Sequence, residues 1–253
     1  MGLKEILEHH VVDHIWSWVA FGPLRLPVSK HLLMMGIAAF IMLVLFPLLI
    51  RSRSAALAPF RAFIEIIVLF IRDEIVVPNL GSKGAGYIGY FSTLFFFILI
   101  LNLLGLVPYG ASATGNLAVT GGLALTTFAL INFAGVREQG LLGYLGHIVP
   151  KGVPGWLYAP LFVIELLGLV TKTFALCIRL FANMIGGHIV ILSFVSFIFI
   201  FGSFGAAAGF GVAPISVALV LFSMTLELFV AFLQAYVFVF LTAIFTGAAM
   251  HPH

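Results

Sequence analysis

Four polar side chains interrupt the apolar stretch between residues 156 and 201: Lys172, Arg179, Asn183 and His188. An arginine side chain keeps its positive charge at any pH that a protein meets. At the centre of a bilayer that charge costs several kcal/mol unless an anion lies beside it. The residue types therefore indicate one of two kinds of site. One favours the charged form of a carboxyl group, so that the group releases its proton, and the other binds an anionic substrate.

The polar positions follow helical periodicity. Glu165, Lys172 and Arg179 recur every seven residues, so they share one face of a helix. In the next apolar run, Glu227 and Gln234 are also seven residues apart. Two polar stripes on consecutive helices are expected either at an ion pathway or where polar side chains join the helices by hydrogen bonds.

The two apolar runs are expected to fold back on each other at residues 202–213 as antiparallel helices. A single alignment of these helices brings two pairs of polar residues opposite each other. It places His188 opposite Glu227 and Arg179 opposite Gln234. In this register neither acid of the two runs is level with Arg179. We therefore expect its counter-charge to come from another subunit.

The composition identifies the surroundings of these helices as lipid. Hydrophobic residues make up 62% of the chain and charged residues 8%, compared with roughly 25% charged residues in a typical soluble domain. We predict an all-α integral membrane protein, a single membrane domain over residues 1–253 with about five transmembrane spans. The predicted spans are 33–50, 86–108, 117–136, 156–201 and 214–246.

The fourth and fifth runs are too long for upright spans. At about 1.5 Å per residue they would measure roughly 70 and 50 Å, against a hydrocarbon core of about 30 Å. Either each is strongly tilted, or each is broken, the first at a hinge formed by Gly186 and Gly187. Because no proline lies between Pro160 and Pro214, we predict a long, strongly tilted helical hairpin.

Two further stretches mix charged and apolar residues like helices that lie along the membrane surface. One covers residues 2–19, within an N-terminal segment, 1–32, that we place outside. The other covers residues 55–77, within a cytoplasmic amphipathic segment, 51–85. For the second stretch, a hairpin that dips part-way into the bilayer is the alternative.

Lysine and arginine orient the chain, because they are enriched in cytoplasmic loops. The loops after the first and third spans carry basic residues, whereas 109–116 and 202–213 contain none. This pattern predicts an external N-terminus and a cytoplasmic C-terminus. Glu5, Glu8 and Asp13, together with the lack of a short apolar core, predict that the N-terminal segment is not a removable signal peptide.

Other candidate sites carry less information. His9, His10 and His14 include a pair at helical spacing that could bind a metal, but a wet interfacial helix explains them more simply. Cys177 has no partner for a disulfide and is expected to be a small buried side chain. The sequence contains no glycine-rich phosphate loop, so we predict no direct nucleotide binding. We also predict no cofactor, no metal site and no nucleic-acid partner.

Four stretches together resemble the a subunit of F-type rotary ATP synthases. They are RLFANMIGGH, LELFVAFLQAYVFVFLTAIF, ILNLLGLVPY and the N-terminal EHHVVDH. The resemblance covers nearly the whole chain. Its most specific part is the Arg-Leu-Phe-x-Asn-Met core followed by a glutamine in the next helix.

The resemblance implies a non-catalytic stator in the membrane sector of the synthase. In such synthases this subunit lies beside a ring of c subunits, each with one carboxylate at mid-membrane. Two laterally offset half-channels lead protons to and from the ring, so that proton flow drives rotation and ATP synthesis. The implied partners are the c-ring, the b-type peripheral stalk subunits and the rest of the complex, in a bacterial plasma (inner) membrane rather than a mitochondrial one.

Matching positions also imply roles for individual residues. Arg179 matches the arginine that favours the charged form of the passing carboxylate and blocks proton leakage. Glu165 matches an acid of the inner half-channel, and His188 and Glu227 match a pair of the outer one. The implied proton-translocation residues are Arg179, Glu165, Asn183, His188, Glu227 and Gln234, with Asn102, Lys172 and His14 as secondary candidates.

Three of these assignments leave alternatives open. His188 and Glu227 occur in the opposite order from many bacterial members, so which of them relays the proton is undecided. Asn102 matches a polar position beside the outer channel, but it could simply join two helices. Lys172 matches a basic position near the inner side, but its amine could also extend to the lipid headgroups.

Two other functions are alternatives. A self-contained secondary transporter or channel would use Arg179 as its substrate site, and an inverted repeat would be typical of it. The sequence shows no such repeat. An intramembrane hydrolase would need a nucleophile and a base, and we find no plausible pair.

Overall fold

The computed structural model of the chain describes residues 15–21, 24–52, 54–107, 112–147 and 154–250. Most of them are helical. Five helical stretches are long and apolar enough to cross a membrane, which confirms the predicted class, an all-α membrane protein with five spans. The five stretches are Lys30–Arg51, Ala55–Leu106, Leu117–Gln139, Trp156–Gly202 and Ala206–Met250.

Two short strands precede the first span. β1 (Ile15–Phe21) pairs antiparallel with β2 (Leu24–Ser29). The sequence of β1, IWSWVAF, is rich in aromatic and β-branched residues, which favour strands. The last part of the helix predicted over residues 2–19 is therefore a strand. Residues 1–14, and with them the candidate His14, lie outside the described part of the chain.

The first two spans each contain a π-helical turn, at Ile41–Leu45 and at Ile71–Val76. A proline follows each turn two residues later, Pro47 and Pro78. Because proline lacks an N–H and its ring crowds the carbonyl four residues earlier, the helix is distorted just before it. The α-helical parts are α1 (Lys30–Phe40), α2 (Phe46–Arg51), α3 (Ala58–Phe70), α4 (Val77–Leu80) and α5 (Ile88–Leu106), with 3₁₀ turns at Ala55–Leu57 and Gly81–Tyr87.

The predicted amphipathic segment is helical and two-faced. In α3, Ile64 and Ile67 are buried, whereas Phe63 and Ile66 are exposed. The buried face packs on protein, whereas the exposed face combines apolar side chains with Glu65. The position of this segment relative to the membrane surface stays a prediction.

The third span, α6 (Leu117–Gln139), is followed at once by the short helix α7 (Leu141–His147). Gly140 separates them with a φ of 73°, a conformation that side chains with a Cβ rarely adopt. Tyr144 of α7 donates a hydrogen bond to Oδ1 of Asn132, 3.1 Å away. Burial raises the pKa of the Tyr144 phenol, so the protonated phenol makes this bond at neutral pH.

The last two spans are single long helices. α8 (Gly155–Gly202) has 48 residues and α9 (Ala206–Met250) has 45. α8 continues through Gly186 and Gly187 without a break, which confirms the prediction of one continuous helix. The turn to α9 contains Gly205 at a φ of 139°. The tilt of this hairpin in a membrane stays a prediction.

The chain forms two compact units, and α8 and α9 each contribute to both. The first unit combines residues up to 40 with 97–119 and 180–234; the second combines 41–96, 120–179 and the residues from 235 onward. In the first unit, Ala38, Leu101 and Ala113 form a buried cluster. Small side chains at two of these positions allow the backbones to approach closely.

The second unit buries larger side chains and joins its elements by specific contacts. Ile71, Ile75, Phe91, Phe95 and Phe238 are fully buried. Near the end of α9, the Ala249 carbonyl oxygen accepts a hydrogen bond of 2.8 Å from the Gln139 side chain. Lys83 and Glu138 form an ion pair.

Candidate functional site

Three of the predicted site residues lie on α8 within the second unit. Glu165 is half-buried, and Lys172 and Arg179 are exposed. The Nζ atom of Lys172 lies 5.6 Å from the centre of the Phe245 ring on α9. At an exposed site such a cation–π contact contributes about 0.5–1 kcal/mol. Lys172 therefore has a packing role, and its part in proton transfer stays a prediction.

Arg179 has no visible counter-charge. Its side chain is exposed, and no residue that the structure describes accepts its hydrogen bonds or pairs with its charge. An unpaired guanidinium on a membrane-length helix is costly when it faces lipid. As expected from the sequence, no carboxylate among the described residues pairs with Arg179.

In the first unit, Asn183 and Gln234 join α8 to α9. The Asn183 Nδ2 atom donates a hydrogen bond of 3.0 Å to Oε1 of Gln234, whose side chain is buried. Within the described residues, the Nε2 atom of Gln234 finds no acceptor. The predicted register placed Arg179 opposite Gln234, but the hydrogen-bonding partner is Asn183, one helical turn further along.

His188 and Glu227 come together as predicted. The Nδ1 atom of His188 lies 2.9 Å from Oε1 of Glu227. The same nitrogen lies 3.0 Å from the carbonyl oxygen of Met184, and Nε2 lies 3.2 Å from the carbonyl oxygen of Gly105. Glu227 is buried, and neither of its carboxylate oxygens accepts a hydrogen bond of good geometry from the described part of the chain. The contact is an ion pair whenever the His188 ring is protonated.

A glycine on α8 makes room for the acid. A Cβ atom at Gly187 would lie 2.7 Å from Oε1 of Glu227, whereas a Cβ atom at the neighbouring Gly186 would meet nothing within 4 Å. Only one of the two glycines is thus needed for the approach of Glu227 to α8.

Asn102 of α5 is completely buried and joins three elements. Its Nδ2 atom donates to the carbonyl oxygen of Ala231 on α9 at 3.2 Å, and its Oδ1 atom accepts from Oγ1 of Thr114 at 2.8 Å. Both ends of the amide are therefore hydrogen-bonded. These contacts favour the alternative that Asn102 joins helices.

Sequence reasoning missed three contributors to the site. Gly105 offers a backbone carbonyl, which no residue type signals. Thr114 lies in a short 3₁₀ turn (Ala113–Gly115), and its closeness in sequence to Asn102 was the available signal. Gly187 was considered only as a hinge, and its position beside His188 was the available signal for a steric role.

The arrangement allows two kinds of chemistry. A buried carboxylate beside a histidine can take up and release a proton. An exposed guanidinium can attract an anion that comes from outside the chain. Among the described residues, no group of three or more His, Cys, Asp or Glu side chains could hold a metal ion.

Comparisons with known proteins agree on one family. The family model described as ATP synthase A chain matches residues 32–247. The protein named ATP synthase subunit a from Anaeromyxobacter dehalogenans is 44% identical over 238 residues, 92% of this chain. The subunit a of Myxococcus xanthus is 44% identical over 239 residues, and the subunit a 2 of Chlorobaculum tepidum is 40% identical over 261 residues.

The relatives are longer than this chain. The aligned region is 60% of the Anaeromyxobacter relative, 77% of the Myxococcus relative and 72% of the Chlorobaculum relative. It nevertheless covers 92–97% of the present chain. The protein therefore belongs to the ATP synthase A chain family.

Proposed function

We propose that this chain is the stator subunit that conducts protons in the membrane sector of an F-type ATP synthase, beside a ring of c subunits. Family membership and five membrane-length helices support its place in such a sector. The observation that carries the mechanism is Arg179, exposed on α8 without a counter-charge among the described residues. A carboxylate on a passing c subunit would supply that charge.

Arg179 acts on the passing carboxylate by electrostatics. At about 4 Å and an effective dielectric constant near 20, two opposite charges attract by about 4 kcal/mol. This attraction favours the charged carboxylate, so the proton leaves. It is also weak enough for the next step of the ring to separate the pair. The fixed positive charge repels protons and prevents a direct leak between the two sides.

The other site residues lead protons to and from the ring through two offset half-channels. Glu165 lines the inner one, and His188 and Glu227 line the outer one. Asn183 and Gln234 lie near the junction, where the Nε2 atom of Gln234, which has no acceptor among the described residues, can orient a passing group. Lys172 and His14 have secondary roles, whereas Asn102 joins helices through its two hydrogen bonds.

This function specifies partners and an orientation. The c-ring and the b-type peripheral stalk subunits bind the chain within the whole synthase, and the chain itself catalyses no reaction. It lies in a bacterial plasma membrane, with the N-terminus outside and the C-terminus in the cytoplasm. The bacterial relatives support this location.

Replacing Arg179 tests the proposal. Inverted membrane vesicles are prepared from cells whose only copy carries Arg179→Ala, and ATP-driven acidification is measured after assembly of the complex is checked by blotting. Acidification is expected to fall more than about tenfold, because a loss of only about 1.4 kcal/mol already has that effect on a rate. Arg72→Ala is the matched control, because Arg72 is an exposed arginine that is paired with Asp73; it should pump normally.

Two results would contradict the proposal. One is an assembled Arg179→Ala complex that pumps as well as the Arg72→Ala control, which would make the polar stripe structural. The other is a chain that purifies without a c-ring and an ATPase head, yet moves an anionic solute in liposomes. The second result would establish the secondary-transporter alternative.

A further inference from the structure

The two parts of α9 differ in how much of their surface the chain itself covers. Between residues 206 and 234 most side chains are exposed. The buried ones in this part are Gly209, Ser216, Glu227, Ala231 and Gln234. From residue 235 to the end of the helix at Met250, every residue is buried or half-buried except Ala248. We call residues 235–250 the anchor of α9, because other elements of the chain enclose this part.

A direct backbone contact fixes the anchor along and around its axis. A Cβ atom at Gly247 would collide with the carbonyl oxygen of Asn79 in α4. Neighbouring residues of a helix lie about 1.5 Å apart along the axis and about 100° apart around it. If α9 slid or turned by one residue, Thr246 or Ala248 would therefore bring a Cβ atom to this point. The contact with Asn79 fits only the observed position of α9.

Helix α6 holds the last turn of the anchor. The carbonyl oxygen of Ala249 is among the last four of α9, which have no N–H partner within their own helix. The Nε2 atom of Gln139 donates a hydrogen bond of 2.8 Å to this oxygen. A Cβ atom at Gly135, one turn before Gln139, would lie 3.2 Å from the same oxygen. The side chain of Gln139 thus caps α9, and Gly135 leaves room for the approach.

The elements that hold the anchor are also joined to each other. Lys83, in the 3₁₀ turn that follows α4, forms an ion pair with Glu138 of α6. The aromatic ring of Tyr144 in α7 packs on Gly135, where a Cβ atom would lie 2.5 Å from Cε2 of the tyrosine. The end of α4, the end of α6 and the start of α7 therefore form one frame around the anchor.

The anchor bears on the polar residues earlier in α9. Glu227 and Gln234 precede it on the same unbroken helix, whose internal proline, Pro214, lies further back. A helix that cannot slide or turn at one end keeps its side chains at fixed heights and angles. A passing carboxylate that is attracted to Arg179 also pulls on this chain as the ring of c subunits moves on. The stator must resist that pull.

We infer that residues 235–250 anchor α9 against the pull of the turning c-ring, with Gln139, Gly135 and Gly247 as positioning residues. This inference rests on the proposed proton-conducting function. The pull is greatest when the c-ring works against a large proton gradient. A weakened anchor therefore lets the helix slip under load, whereas the c-ring turns normally without load.

Replacing Gln139 tests the anchor under load. Gln139→Leu removes the hydrogen-bond donor at similar side-chain size. Inverted vesicles with the assembled complex receive ATP, and the initial rate of acidification, the final pH difference and ATP hydrolysis are measured. The loss of one hydrogen bond should raise the fraction of slipped helix by about two- to tenfold. We expect an unchanged initial rate, continued ATP hydrolysis and a smaller final pH difference.

Thr126→Ala is the matched control on the same helix, because Thr126 is exposed and its hydroxyl donates to the Leu123 carbonyl oxygen of α6 itself. Equal final pH differences in Gln139→Leu and this control would overturn the inference. A proportional fall of the initial rate, the final pH difference and ATP hydrolysis would also overturn it, because that result indicates only a less stable complex.

A reversible cross-link tests whether the frame stays closed while the c-ring turns. Lys83→Cys and Glu138→Cys are combined with Cys177→Ala, and the two new thiols are joined by a short bifunctional reagent that a reductant removes. Because an anchor does not move during the cycle, the joined complex should pump as fast as the same sample after reduction. A loss of pumping that the reductant reverses would show that the frame must open, and the inference would be wrong.

These results are separate from the test of the proposed function. If the unaltered complex pumps protons and Arg179→Ala does not, the proposed function stands whatever the outcome at Gln139. If Arg179→Ala pumps normally, the proposed function fails on its own evidence. The load dependence and the cross-link therefore report on the anchor alone.

Discussion

At the scale of single residues, the polar side chains differ in how completely they are hydrogen-bonded. Asn102 uses both ends of its amide. Glu227 and Gln234 are equally buried, but each keeps polar atoms without a partner among the described residues. A buried polar group is expected to be satisfied unless it has another task. Glu227 and Gln234 are therefore the better candidates for the proton path. Asn102 is the better candidate for a residue that stabilises the fold.

Replacing Asn102 should destabilise the protein. In Asn102→Ala, Thr114 loses its hydrogen-bond acceptor and a buried space is left, at a cost on the order of 1–3 kcal/mol. The measurement is thermal unfolding of the purified complex in detergent. Ser203→Ala is the control, because Ser203 is exposed and its hydroxyl donates to the nearby carbonyl oxygen of Ile200 at the end of α8. Equal unfolding temperatures for the two variants would contradict a structural role for Asn102.

At the scale of helices, glycines decide how closely α8 and α9 approach other groups. In Gly187→Ala, the new methyl group would meet the far end of the Glu227 side chain. A flexible side chain can move aside, so we expect the complex to assemble while the His188–Glu227 contact is lost. ATP-driven acidification should fall by about tenfold or more, if proton transfer loses about 1.4 kcal/mol of stabilisation.

The neighbouring glycine gives a control with the same change in helix propensity. Gly186→Ala adds its methyl group where nothing lies within 4 Å, so acidification should be unchanged. If both variants pump equally well, the close approach at Gly187 has no functional importance.

A second close approach lies near the end of α9. A methyl group at Gly247 would collide with the backbone carbonyl oxygen of Asn79. Because backbone cannot move aside cheaply, Gly247→Ala should cost about 1–3 kcal/mol of stability. The control Gly122→Ala, with open space around its Cβ, should be neutral or stabilising by about 0.5–1 kcal/mol. Thermal unfolding of the two variants compares them, and the same unfolding temperature for both would show that α9 can shift at this point.

At the scale of the whole molecule, the distribution of charge predicts the orientation in the membrane. Ser82 lies in a segment with a basic flank that we place in the cytoplasm, and Ser203 lies in the turn between α8 and α9 that we place outside. Both are exposed. Cys177 is the one cysteine of the chain and is buried, so it can be replaced by alanine to give a cysteine-free background.

Single cysteines in that background report the orientation. In inverted vesicles, a membrane-impermeant maleimide should label Ser82→Cys readily, because basic segments face the cytoplasm. Ser203→Cys should be labelled only in right-side-out vesicles or after the membrane is opened. The reverse pattern would show that the chain is oriented the other way round.

The sequence alone determined the class of this protein and its principal side chains. A lipid environment requires long apolar helices, so their number and the continuity of α8 could be predicted from hydropathy and proline positions. The polar residues were evident because each is costly in an apolar run. Helical periodicity also predicted that His188 meets Glu227, since both positions depend only on regular geometry within two consecutive helices.

Only the tertiary structure decided the detailed contacts of those side chains. It paired Gln234 with Asn183 instead of Arg179 and brought the Gly105 carbonyl oxygen to His188. It also formed the strand Ile15–Phe21, which replaces the last part of the helix predicted over residues 2–19. Periodicity describes one element at a time, whereas a hydrogen-bond partner depends on distances between elements. Every residue carries a backbone carbonyl, so no residue type in the sequence could reveal which carbonyl would hold the histidine.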